Sequence, residues 1–396
     1  MNRETFRLSQ KELQRVAVIS QCVRGKLACA RAAELLDLTP RHIKRLKARY
    51  RQGSAAALAH ASRGRPNPRR LPQSARTRIL HLARTRYAGF NDHHLCEKLC
   101  EVEGLSLGRE TLRRLLRRAG IGSPRKRRSP AHRQRRLARA REGEMLLLDA
   151  SLHPWLQERG PQITLLGFLD DATRKVPVAE FFLTEDARGY FRLLRRLLRR
   201  CGIPLSFYGD RHSVFVRNDD HWSVEEQLAG KRQPTQFGRA LAQLGITYIA
   251  AHSPQAKGRI ERLWGTFQDR LTSELRLAGA CDLETANQVL GRFLSDYNRR
   301  FPRAPREAET AWRPAPQDLD RICCFHHQRS VGNDNVVQWN GHRFQIPPQP
   351  QRFSFAGAKV QILESLDGKV AIYHGDTKLH HIGGFTSQGV TFSSGR

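Results

Sequence analysis

Asp149, Asp210 and Glu261 are the residues of this chain whose types and settings fit phosphodiester chemistry. Asp149 closes the apolar run 145–148, Asp210 closes the run 205–209, and Glu261 lies in a segment with helical spacing. Two strand ends and one helix can bring three carboxylates together. Such a cluster repels itself unless a cation or a proton compensates, because like charges raise one another's pKa. Hard divalent cations select carboxylate oxygens, and two Mg²⁺ ions about 4 Å apart can activate an attacking oxygen and stabilise the leaving one in an in-line displacement. The trio therefore predicts a site for two Mg²⁺ ions.

The elements that must position these acids can be read from the pattern around them. After Asp149 come apolar, β-branched runs at 163–169 and 176–183 joined by a turn at 170–173, an antiparallel pair. A helix over 185–200 places Tyr190, Leu193, Leu194, Leu197 and Leu198 on one side and arginines on the other. The Asp210 strand follows, then a polar insertion at 211–234, a helix over 235–244 and a strand over 246–250. Glu261's helix starts at Ser253 as N-cap with Pro254 next, and buries Ile260, Leu263, Trp264, Phe267 and Leu271. Glu261 sits at the edge of that stripe, with Lys257, Arg259 and Arg262 on neighbouring faces, where they can meet DNA phosphates. The order is βββαβαβα. Rival acids exist in Asp170, Asp171, Asp219, Asp220, Glu225 and Glu226, but a hairpin turn and a polar loop are settings where such residues occur for backbone reasons alone.

Charge points to a polyanionic partner. The chain carries 69 Lys+Arg against 37 Asp+Glu, a net +32. Residues 1–140 hold 35 basic and 9 acidic residues, so +26 of the excess lies in the first third. There the pattern between Gln10 and Tyr50 reads as three short helices, the first marked by Leu13, Val16, Ala17 and Ser20 and the third by Ile43, Leu46 and Tyr50. Thr39 caps the third helix ahead of Pro40, and Arg41, His42, Lys44 and Arg45 point away from its apolar stripe, as a major-groove recognition helix requires. The plan repeats at 76–87, 92–102 and 109–118, where Leu112, Leu115 and Leu116 are inside and Arg113, Arg114, Arg117 and Arg118 outside. Doubling of the unit favours DNA docking over ordinary basic surface helices. Arg63-Gly64-Arg65-Pro66 between the units resembles a minor-groove AT-hook core, and Arg127 lies in a basic run that tracks phosphates.

The remaining features narrow the class. No apolar stretch approaches the roughly 20 residues a bilayer needs, and the first residues show no apolar signal region, so a soluble cytoplasmic protein without membrane partners is expected. Eight cysteines do not make a disulfide scaffold, and the cluster Cys323-Cys324-Phe325-His326-His327 and the set His94, Cys96 and Cys100 lack zinc-ligand spacing, so no structural zinc is expected. Two hairpins, around Asn340-Gly341 and Asp367-Gly368, predict a small C-terminal SH3-like β-barrel. The expected division is helix-turn-helix at 1–60, basic linker at 61–72, second helix-turn-helix at 73–123, basic linker at 124–142, catalytic core at 143–315 and β-domain at 328–396.

The segments 235–241 (Thr-Gln-Phe-Gly-Arg-Ala-Leu), 252–262 (His-Ser-Pro-Gln-Ala-Lys-Gly-Arg-Ile-Glu-Arg) and 265–271 (Gly-Thr-Phe-Gln-Asp-Arg-Leu) resemble the integrase-type catalytic core of insertion-sequence DDE transposases, the ISNCY-type group in particular. The resemblance covers nearly the whole chain. It implies a multidomain α/β protein with a ribonuclease-H-like mixed-sheet core, a DDE site on Asp149, Asp210 and Glu261, and Mg²⁺ or Mn²⁺ as cofactor. It also implies cleavage at terminal inverted repeats and joining of the 3′ hydroxyl to target DNA by a homo-oligomer assembled on transposon-end and target DNA. The 51-residue separation of Asp210 and Glu261 departs from retroviral-type spacing because 211–234 is inserted. A sequence-specific metal-dependent nuclease, and a non-catalytic DNA-binding regulator derived from a transposase, are the alternatives.

Overall fold

The protein is described by a computed structural model covering residues 8–60, 71–124, 136–251, 258–350 and 352–382. Arg63, Arg65, Arg127, Lys257 and the Ser253–Pro254 cap lie outside the described residues. The chain divides into two compact units, Met1–Arg76 and Thr77–Arg396.

In the first unit, α1 (Gln10–Val23), α2 (Cys29–Leu36) and α3 (Pro40–Gly53) close on a core of Ile19, Cys22, Ala32, Ala33, Ile43, Leu46 and Leu58. The Thr39 hydroxyl accepts a hydrogen bond from the His42 amide at 3.3 Å, and Pro40 opens α3, as the sequence predicts. Leu13, expected inside, is exposed; Ile19 and Cys22 on the facing side of α1 take that place.

The second unit begins with another helical triple, α4 (Gln73–Arg84), α5 (Asp92–Glu101) and α6 (Arg109–Arg118), α4 crossing the division. A five-stranded sheet follows, built from β1 (Leu146–Leu152), β2 (Thr164–Asp170), β3 (Val178–Phe182), β4 (Ser206–Gly209) and β5 (Thr247–Ala250). The order is β3-β2-β1-β4-β5, with β1, β2 and β3 antiparallel in sequence and β4 and β5 parallel to β1. Alternation sorts the sheet's side chains. Leu146 and Leu148 join one core with α7 (Ala187–Cys201) and, past the short α8 (Val224–Ala229), with α9 (Gln236–Gln243). Leu147 joins the opposite core with α10 (Gly258–Leu277) and α11 (Leu283–Arg300). The sheet is therefore sandwiched between two helical layers, and its near-continuous apolar strands follow from burial on both faces.

Helix α11 is not marked in the sequence reading. Its Asn287 and Asn298 each pair in both directions with the backbone of the edge segment, at Phe181 and Val176, with distances of 2.8–3.1 Å. This covers backbone groups that an edge strand leaves open.

The C-terminal region differs from a closed barrel. After α12 (Leu319–Ile322) come β6 (Phe325–Ser330), β7 (Val336–Trp339), β8 (His342–Gln345), β9 (Lys359–Glu364), β10 (Val370–His374) and β11 (Thr377–Ile382). They form a four-stranded sheet in the order β11-β10-β9-β6 and a separate two-stranded ribbon of β7 and β8. The Asn340-Gly341 turn has positive φ at both positions, which matches hairpin twist. Ribbon and sheet share a core through Val337, Trp339, Phe344, Val360, Ile362 and Ile372. Apolar packing joins them, and among the described residues no ladder closes the sheet.

Candidate active site

Asp149 shares the parity of Leu147, so its side chain faces α10. Its carboxylate accepts a hydrogen bond from the indole N–H of Trp264 at 3.0 Å, and two residues on, Ser151 takes one from Gln268 at 3.2 Å. One helical turn thus matches two strand residues, since four residues of helix rise about 6 Å and two of strand about 6.6 Å. Helix α10 runs alongside β1, with its apolar residues in the core and Glu261 one turn before Trp264, exposed.

Asp210 follows the last residue of β4. Strands β1 and β4 pair in parallel with Leu147 opposite Tyr208, and two steps further along each strand stand Asp149 and Asp210. An Asx turn fixes Asp210, its carboxylate accepting from the His212 amide at 3.0 Å. Tyr248 on β5 donates to the Asp210 carbonyl at 2.5 Å, passing over Gly209. A Cβ at Gly209 would stand 2.5 Å from that tyrosine oxygen and 2.6 Å from Leu148 Cδ1, so glycine here leaves room for the tyrosine to cross.

Two tyrosines register the charge of this pair. Burial pushes the hydroxyl of Tyr248 well above its ordinary value, and the charges of Asp210 and Asp149 push the same way. Burial does the same to Tyr190, followed by Glu185, which accepts its hydroxyl at 2.7 Å, and then by Asp149 and Asp210. Both rings thus lie in the joint field of the two carboxylates, the kind of field a divalent cation neutralises. Among the described residues, no three carboxylate, imidazole or thiol groups stand close enough to hold one metal ion. Asp149 and Asp210 come together on neighbouring strands, and Glu261 lies on the adjoining helix without joining them in a single ligand cluster.

Four of the rival acids are engaged elsewhere, and the side chain of Glu225 lies outside the described residues. Asp170 is buried, takes bonds from Gly143 N at 2.9 Å and from Thr173 N and Oγ1 at 2.7 Å, and burial pushes its carboxyl up. Asp171, fully buried, binds Arg136 at 2.6 Å and Arg259. Asp219 and Glu226 share Arg217. Asp220 is exposed.

The expected DNA contacts divide. Arg41, His42, Lys44 and Arg45 are exposed on α3 while Ile43 and Leu46 are buried. Arg113 and Arg114 are exposed but both pair with Glu110, an acid on the same helix that the outward-arginine expectation for α6 did not weigh. Arg117 turns inward, bonding Asp92 at 2.5 Å and the Ile121 carbonyl at 2.9 Å. Arg262 is exposed, its Nε donating to the Gly258 carbonyl at 2.7 Å. Arg259 has only 11% of its side chain exposed. The second helical triple also docks on the sandwich: Arg270 pairs with Glu97 at 2.7 Å, His94 and Lys98 with Glu274 at 2.7 Å, and Asn91 with Asp269 at 2.6 Å. The contributions of Trp264, Tyr190 and Tyr248 to the acids were not legible. Each reads as a core aromatic, and only the fold shows where its polar atom points.

Burial pushes the Cys323 and Cys324 thiols up to about 12 and His326 down to about 4, so these groups are neutral near pH 7. Among the described residues no helix is long and apolar enough to cross a membrane.

Comparison with known proteins finds a helix-turn-helix family and transposases. A winged helix-turn-helix family matches residues 15–76. The putative transposase y4bF of Sinorhizobium fredii is 37% identical over 368 residues, covering 92% of this chain and 79% of the relative. The transposase for insertion sequence IS1202 of Streptococcus pneumoniae is 29% identical, covering 93% of this chain and 85% of the relative. A chain of the simian T-cell lymphotropic virus intasome, solved by cryoEM in complex with PP2A regulatory subunit B56 gamma, matches at 12% identity. That match covers 74% of this chain and 91% of that one, and its TM-score of 0.31 carries no argument. With 37% identity to a transposase across almost its whole length, and a helix-turn-helix domain for DNA ahead of a mixed α/β body, this chain belongs to the insertion-sequence transposases.

Proposed function

We propose that this transposase is a metal-dependent polynucleotidyl transferase of the DDE class, cleaving transposon-end DNA at terminal inverted repeats and joining the freed 3′ hydroxyl to target DNA. The observation that carries this reading is the pair of carboxylates, Asp149 and Asp210, two steps beyond a parallel β1–β4 pairing and beside the helix that bears Glu261. The strand order β3-β2-β1-β4-β5 supports a ribonuclease-H-like core.

Asp149, Asp210 and Glu261 would hold Mg²⁺, or Mn²⁺ in its place. Two such ions supply charge neutralisation for the attacking and leaving oxygens of an in-line displacement. The protein's own residues do the rest. Trp264 orients Asp149, the turn through His212 orients Asp210, and the parallel β1–β4 pairing sets the two side by side. Glu261, exposed on the first turn of α10, would complete the ligand set with the pair.

The α3 face with Arg41, His42, Lys44 and Arg45 reads the terminal repeat, and Arg262 meets phosphate near the acids. A homo-oligomer on DNA brings two ends to one target. The test mixes full-length protein, Mg²⁺, end DNA and supercoiled plasmid. Joined end–plasmid product supports the reading; cleavage without joining supports a nuclease instead, and neither product supports a DNA-binding regulator.

A further inference from the structure

We propose that Arg174 and Arg303, which meet at the turn carrying the buried Asp171, form a binding site for a phosphodiester of the DNA backbone beside the first turn of α10. The inference rests on the proposed function for placing DNA there.

Asp171 is the hub. Its carboxylate oxygens take bonds from both terminal nitrogens of Arg136 at 2.6 and 3.2 Å, from the Arg139 amide at 2.8 Å, and from Arg259. One negative charge therefore faces two guanidinium groups in direct contact. Two more arginines, Arg174 and Arg303, stand on or against the same turn, with Arg262 nearby on α10. Arg174 is three residues along it, Arg262 lies one helical turn beyond Arg259, and the Arg303 amide donates to the Thr173 carbonyl at 2.7 Å. The other acid of the turn, Asp170, is buried and turned to Gly143 and Thr173 rather than to these arginines. Positive charge is left in excess beside the first turn of α10, where Glu261 stands between Arg259 and Arg262 in the chain.

Two features show that this excess has a cost. Burial pushes the Arg174 guanidinium down from its ordinary value, and the charges of Arg303, Arg262 and Arg259 push it the same way. Arginine stays charged all the same, so the repulsion is standing and a phosphate would relieve it. Arg174 also has φ 64°, a left-handed conformation that costs a residue with a Cβ about 1–2 kcal/mol. Asparagine or glycine would fit this turn more easily. An arginine there is placed against local preference, as happens at binding sites.

The test uses full-length protein and the variants R174N, R303Q, R174N/R303Q and R174K/R303K. Binding to end DNA is measured across salt concentrations, and joining to plasmid in Mg²⁺. Each arginine removed should lower the log–log salt slope by roughly one, and the double variant should join roughly tenfold less. The lysine pair should recover most of both, and R174N should melt at or above the wild-type temperature, which a purely structural role for Arg174 would not allow. A slope change on end DNA assigns the phosphate to the transposon strand; loss confined to joining assigns it to the target strand.

An R174N/R303Q variant with wild-type slope and wild-type joining overturns the inference while leaving the proposed function standing. Wild-type protein that joins nothing, with a slope that still falls in the variant, does the reverse. An unchanged slope in a protein that joins nothing overturns both.

Discussion

Replacing Trp264 with phenylalanine tests whether Asp149 is held for chemistry. The indole N–H donates to the Asp149 carboxylate at 3.0 Å, and phenylalanine keeps a ring in the same core but cannot donate. A hydrogen bond to a charged group contributes about 1.5–3 kcal/mol, so a bond that serves wholly to position the acid would lower the chemical rate roughly ten- to a hundredfold. Trp264 is also 5% exposed, and the smaller ring leaves a gap that lowers stability. Phe267→Leu supplies the control: Phe267 is fully buried in the same cluster, and the change removes packing with no polar atom. Single-turnover cleavage of end DNA at saturating protein, alongside thermal melting, separates the two effects. Trp264→Phe should slow cleavage far more than Phe267→Leu at equal loss of melting temperature. Equal slowing in both would refute the positioning argument, leaving the indole as packing alone.

Other outcomes follow from the same geometry. Glu12→Ala should destabilise the Met1–Arg76 unit by about 2–4 kcal/mol in a melting experiment, because its buried carboxylate accepts from Ser9 N, Ser9 Oγ and His60 N at 2.7–2.9 Å. Arg41→Ala and Lys44→Ala should erase preference for end DNA over random DNA, whereas a lost phosphate contact weakens both equally. For Glu274, burial pushes the carboxyl up, but hydrogen bonds from His94 and Lys98 outweigh it and hold it below 4.5. A depressed carboxylate stabilises above its unfolded value and loses that contribution as pH falls through the folded one, so the stability gap between wild type and Glu274→Gln should shrink below about pH 4.5.

What the sequence disclosed follows from how strongly each segment's local pattern constrains it. Strands β1 to β5 and helices α3, α7, α9 and α10 were legible from their apolar periodicity, joined at α3 by the Thr39-Pro40 cap. That Asp149 and Asp210 lie on neighbouring strands was legible too, although Asp149 stands inside β1 rather than at a strand end, because β1 continues to Leu152. Helix α11 was missed although its stripe is regular, since its role lies in Asn287 and Asn298 covering a distant strand edge. The barrel expectation erred because hairpin signals specify local ribbons, whereas closure depends on which ribbon edges meet. Outward arginines on α6 were over-read: Glu110 captures two and Asp92 draws in a third. The Asp171 hub, joining residues 136, 171 and 259, has no periodic trace at all.

The central claim is that Asp149, Asp210 and Glu261 act together in metal-dependent end joining. Its most direct test compares full-length wild type with Asp149→Asn, Asp210→Asn, Glu261→Gln and, as control, Asp219→Asn, in end binding and in Mg²⁺-dependent joining. The amides keep side-chain size while removing a charge the metal needs. The account predicts that the first three bind end DNA nearly as wild type does and join none of it, while Asp219→Asn joins normally. Joining at the wild-type rate by Asp210→Asn, with loss in Asp219→Asn, would contradict it.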